Sequence, residues 1–93
     1  MKTAKYKQWI TKQLEEYRNM SLSELLESYG DNYFYIDGQV ESGNYSSQDI
    51  WGNFGHVDRL NIQRKVINEK REEEGLPLRQ WTDEYHYNDT WFV

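Results

Sequence analysis

Aliphatic side chains are scarce in this chain: seven Leu, five Ile and four Val serve 93 residues that also carry eight Tyr, four Trp and three Phe. A chain of this length buries only about 60 to 65 % of the surface that its unfolded form exposes, so its core is small. Aromatic residues must supply much of it. Each can bury roughly 150 to 250 Å², yet Tyr and Trp end in a polar group that needs a partner or water. Many of these rings are therefore expected half exposed, at a rim or an interface. With one Pro and no long linker, residues 1–93 are expected to form a single compact domain.

Local patterns divide the chain into segments. Tyr6, Trp9, Ile10, Leu14 and Tyr17 keep the three-and-four spacing of one helical face, which predicts an amphipathic helix over 4–19. Ser21 and Glu24 form a capping-box pair with Met20 and Leu25 placed to staple across it, and Leu22, Leu25, Leu26 and Tyr29 continue a second helix. Gly30 stands where its left-handed C-terminal cap would fall. Tyr33 to Ile36 then meets Asp37-Gly38, a dipeptide suited to a two-residue type I′ turn, so a short β-hairpin is expected over 33–41. Residues 42–56 read as a loop with Ile50, Trp51 and Phe54 as apolar anchors and one helical turn after Ser47. Asp58 is expected to cap a third long helix that ends near Glu74, before Gly75 and Pro77. The alternation around His86 favours strands in 79–93, and the terminal Trp91-Phe92-Val93 is expected to dock in the core or on a second copy. The fold class expected is α+β: three helices with a short antiparallel hairpin or small sheet.

The net charge of −5 is unevenly spread. Residues 1–20 sum to +3, residues 21–56 to −6 and residues 57–93 to −2. No Lys or Arg occurs between Arg18 and Arg59, while Glu24, Glu27, Asp31, Asp37, Glu41 and Asp49 all lie in that stretch. Such a field repels nucleic acid and attracts basic protein surfaces. Further acids cluster at Glu72, Glu73 and Glu74 and at Asp83 and Glu84.

The residue types that name a reaction are missing or badly spaced. Without Cys there is no disulfide, thiolate nucleophile or thiolate metal site, and the two His are thirty residues apart, so neither a metal nor another cofactor is expected. Adjacent acids such as Glu15-Glu16 need a dry pocket before they do acid–base work. The turn Gly52-Asn53-Phe54-Gly55 lacks the Lys and Ser/Thr of a phosphate loop. An enzyme is not expected. No apolar run approaches the roughly 20 residues of a membrane span, and residues 1–10 lack a signal-peptide core, so the expected location is the cytoplasm.

In size and composition the chain resembles the small phage-encoded DNA-mimic antirestriction and anti-defence proteins. The resemblance spans the chain without a shared motif, so it transfers no residue. It implies an acidic inhibitor, located in the host cytoplasm, that occupies the DNA-binding site of a host nuclease or other DNA-processing protein and does not itself bind nucleic acid. The acidic face would comprise the carboxylates from Glu24 to Asp49 with Glu72 to Glu74, Asp83 and Glu84, and a homodimer would lengthen the strip. The alternative is an adaptor anchored by Trp51 and Trp91, its acids serving only solubility. A third class, nucleic-acid binding through Lys2, Lys5, Lys7 and Lys12 with stacking tyrosines, is disfavoured by the net charge.

Overall fold

In the computed structural model, which describes residues 2–44, 47–85 and 89–92, the chain runs α1 (Ala4–Arg18), α2 (Leu22–Glu41), α3 (Gln48–Trp51), α4 (His56–Glu73) and a closing 3-10 turn, Asp89–Phe92. No strand occurs among the described residues. The expected α+β fold is thus corrected to an all-helical one.

The largest departure lies in α2. Its start follows the expected pattern: Ser21 Oγ accepts the Glu24 N–H, and the Glu24 carboxylate accepts the Ser21 N–H, closing the capping box. The helix does not stop at Gly30, however, and it absorbs the predicted hairpin. Tyr29, Tyr33, Ile36 and Val40 explain why, since their spacing of four, three and four makes one helical stripe that packs on the same apolar cluster. A strand would have put Phe34 and Ile36 on one face. Instead Ile36 is fully buried and Phe34 is 82 % exposed. Gly30 and Gly38 cost the helix roughly 1 kcal/mol each relative to Ala, and the stripe's burial offsets this.

α4 is the axis of the molecule. Its N-cap is Gly55, so Asp58 stands inside the first turn rather than at the cap as expected. Leu60, Ile62, Val66 and Ile67 are fully or almost fully buried, and so are the polar Gln63 and Arg64. The partners of α4 lie on opposite sides. Asp58 meets Tyr6 and Glu69 meets Arg18 on α1, whereas His56 and Gln63 meet Asn32 on α2. At 100° per residue, positions 58 and 69 lie about 20° apart, and 56 and 63 also about 20° apart, with the two pairs on opposed faces. α1 therefore runs parallel to α4 on one flank, and α2 runs antiparallel on the other.

The remaining segments close the ends. Ser47 caps α3 as the sequence predicts, and Ile50 is buried. Gly75, at φ +73°, ends α4 where expected. The strands expected over 79–93 are not formed by residues 79–85, which are irregular, or by 89–92, which form the 3-10 turn; His86 and Tyr87 lie outside the described residues. Trp81, Trp91 and Phe92 pack against the cluster that joins α1, α2 and α4, so of the expected docking segment Trp91 and Phe92 rest on the core, and Val93 lies outside the described residues.

Candidate functional site

Two surfaces collect the chemistry that the sequence singles out. The first is the outer face of α2, where Glu24, Glu27, Asp31, Asp37 and Glu41 are all exposed. Because the hairpin is replaced by helix, these carboxylates fall within an arc of about 140° and along about 25 Å of one axis. α2 contains no Lys or Arg. Phe34 lies at the middle of the arc, with its ring turned to solvent. Tyr35 borders the same face and its hydroxyl donates to Asp49 (3.3 Å), which brings that acid alongside. Asp49 Oδ2 in turn lies 3.8 Å from His56 Nε2.

The other acids stand elsewhere. Glu72, Glu73 and Glu74 are exposed at the C-terminal end of α4, where Lys70 and Arg71 directly precede them. Asp83 is committed to the fold: its carboxylate receives the Arg64 guanidinium (Nη1 to Oδ1, 3.2 Å) and the Tyr85 N–H (3.0 Å). Its neighbour Glu84 is exposed. The acidic surface is thus one helical face, flanked by Asp49, rather than the whole set. The four Lys of the N-terminal segment and Arg18 belong to α1 and its approach, on the opposite flank of α4.

The second surface is a cleft of about 580 Å³ where the start of α1 meets the start of α4 and the chain end. Its walls include both tryptophans singled out as anchors, Trp51 and Trp91, with Lys2, Lys7, Tyr6 and Asp58. Asp58 Oδ2 accepts hydrogen bonds from the Tyr6 hydroxyl and from the Phe54 N–H (3.1 Å). Burial pushes the Asp58 carboxyl above the usual carboxylate range, against the pull of Tyr6, Phe54 and Lys2. Burial, then Asp58 itself, raises the Tyr6 hydroxyl. Phe54 holds φ +66°, a left-handed conformation that is strained for an aromatic residue. Its ring sits 5.1 Å from Tyr6 and 5.3 Å from Trp9, which repays part of that strain.

Phe34 and the Tyr6–Asp58 pair were not singled out from sequence, and Phe54 was expected only as an apolar anchor of the 42–56 loop. Only the helical period of α2 carried a signal for Phe34, since it falls between Tyr33 and Ile36 but off their stripe. The pairing of Tyr6 with Asp58 joins positions 52 apart and leaves no local trace. Among the described residues, no group of three or more His, Asp or Glu is placed to hold a metal ion, and no helix is long and apolar enough to cross a membrane. Comparison with protein-family models, curated proteins and solved structures finds no match to this chain.

Proposed function

We propose that this chain is a non-catalytic protein-binding module that lays the outer face of α2 on a cation-rich protein surface. One observation carries this: Phe34, 82 % exposed, sits at the centre of a helix face bearing five carboxylates and no cation. An exposed aromatic supplies contact area at low entropic cost, and the surrounding acids steer and orient a basic partner. The Lys and Arg of the N-terminal helix point to the other flank of α4, so they do not cancel this field.

The narrower form of the proposal is an inhibitor that occupies the DNA site of a DNA-processing protein. Charge density bears on it. Duplex DNA carries about 15 charges over 25 Å, at one per roughly 1.7 Å, so the five acids of α2 match about a third of that. Mimicry would thus engage part of a DNA cleft or need a second copy beside the first, and Phe34 would add affinity that DNA lacks.

The test is capture from a lysate of the source organism with the wild-type chain, Phe34→Ala, and a variant with Glu24, Glu27, Asp31 and Glu41 changed to Gln or Asn. Loss of a captured protein in both variants, with unchanged circular dichroism, is the expected result. A captured protein indifferent to both would sink the proposal. Displacement of the captured protein by duplex DNA supports the inhibitor form, and retention supports the adaptor form.

A further inference from the structure

We propose that the cleft between Trp51, Trp91, Lys2 and Lys7 is a binding site for a single nucleotide, its base stacked on the tryptophans and its phosphate held by the lysine ammonium groups. This site is separate from the α2 face and does not depend on it.

Charge is the first reason. In a chain of net charge −5, this cleft joins two lysines to one carboxylate. That carboxylate, Asp58, is already covered by the Tyr6 hydroxyl and the Phe54 N–H. Its surplus is therefore cationic, and an anion is the complementary ligand. Lys2 already lies against Trp91, its ammonium 5.0 Å from the ring centroid and donating to the Trp91 carbonyl. Lys7 lines the same space and is exposed. Two lysines lining one cleft suit a phosphate, which accepts several charge-assisted hydrogen bonds at once.

Shape and surface give the second reason. A volume of about 580 Å³ lies within the range of small-molecule sites. Trp51, whose ring also meets Tyr85 at 5.7 Å, is 37 % exposed, Trp91 is half-buried, and both line the cleft. Every nucleobase offers a flat face to such a ring, and stacking of this kind tolerates any base. Asn53, exposed on the rim, brings an amide that can both donate to and accept from a base edge.

Support for the walls is the third. Tyr6 is buried beneath the cleft and meets Trp91 edge-on at 6.0 Å and Phe54 at 5.1 Å. At this corner the Phe54 N–H donates to Asp58 while the residue is held at φ +66°, a conformation that persists only where surrounding contacts fix it. Strained backbone of this kind clusters where a binding geometry is pre-set. The lining supplies two lysines, too few to follow the backbone of a polymer, so the site suits one nucleotide rather than a strand.

Titration of the full chain with adenosine 5′-monophosphate, followed by tryptophan fluorescence and by amide chemical shifts, tests the assignment. Saturable binding is expected, weakened about tenfold or more by Trp51→Ala and by Lys7→Met. Lys7 is exposed, so Lys7→Met should leave circular dichroism and melting temperature unchanged, whereas Trp51→Ala, which also removes a ring contact with Tyr85, should keep the helical circular dichroism with a lower melting temperature. Lys12→Met, also on α1 but outside the cleft, should bind as the wild type does. Adenosine without phosphate and inorganic phosphate without a base should each bind more weakly than the nucleotide. No saturation at millimolar nucleotide, or binding insensitive to both variants, would overturn the assignment. So would a short single-stranded oligonucleotide that binds more tightly than the mononucleotide, which would mark a strand-binding surface instead.

Discussion

Arg64 has no solvent exposure, and its guanidinium is divided between the Asp83 carboxylate, the Tyr29 hydroxyl (3.1 Å) and the Tyr85 carbonyl (3.3 Å). A planar five-donor group suits such a branched set of acceptors, which the point charge of a Lys cannot serve. It also lies over the rings of Tyr29 and Trp81, at 5.8 and 5.0 Å. α2, α4 and the segment after Pro77 are thus joined through one side chain. Removing it alone leaves the Asp83 carboxylate without its counter-charge and the Tyr29 hydroxyl and Tyr85 carbonyl without this donor. Arg64→Ala is expected to lose about 3 to 5 kcal/mol in denaturant unfolding, while the double change Arg64→Leu with Asp83→Leu should lose much less, because no uncompensated charge is left behind. A double variant as unstable as the single one would count against this account. Nothing local in the sequence distinguished Arg64 from Arg59 or Arg71; burial of a guanidinium depends on what the fold places around it.

The helical continuity of α2 is the element on which the acidic surface depends. Its two internal glycines offer a direct check, because an added Cβ at Gly30 or Gly38 meets nothing within 4 Å. Gly30→Ala and Gly38→Ala are each expected to raise stability by about 0.5 to 1 kcal/mol, read from urea midpoints. In a type I′ turn, with positive φ at position 38, the second change would be destabilising, so the sign of the effect separates helix from hairpin. Gly75→Ala should destabilise by about 1 kcal/mol, since φ there is +73°. The capping box at Ser21, the turn after Ser47 and the stop at Gly75 were legible because each is a local hydrogen-bonding or steric requirement. Asp37-Gly38 misled for the same reason. A dipeptide fits a turn locally, but the stripe Tyr29, Tyr33, Ile36 and Val40 buries more surface as helix on α4, and burial decides.

Across a body 39 × 31 × 21 Å in extent, the cation-free α2 and the lysine-bearing α1 lie on opposite flanks of α4, and stability should follow pH in separable steps. His56 is held below its usual range, mainly by burial; Asp49 pulls the other way and Arg59 adds to the lowering. Its contribution is present above the unfolded value of 6.5 and is lost as pH falls through the lower folded value. Glu24, held low by Ser21, and Glu69, held low by Arg18, behave alike from 4.5 downward. Asp58 has the opposite sign: its raised folded value stabilises below 3.8, and that contribution is lost as pH rises through the folded value. Thermal melts should therefore fall in two stages on acidification from neutrality, and His56→Gln should remove the first. An unchanged first stage in that variant would show that another group causes it. The sequence by itself determined the starts of α1 and α2, the stop of α4, the aromatic debt of a small core, and the segregation of charge along the chain, because these rest on neighbours within a turn or on composition. Only the tertiary structure decided that 33–41 is helix, that α4 lies between α1 and α2, and that Trp51, Trp91, Lys2 and Lys7 meet in one cleft. The physical reason is common to all three: each is set by which surfaces are buried together between residues far apart in the chain, and that free energy outweighs the local preferences a sequence displays.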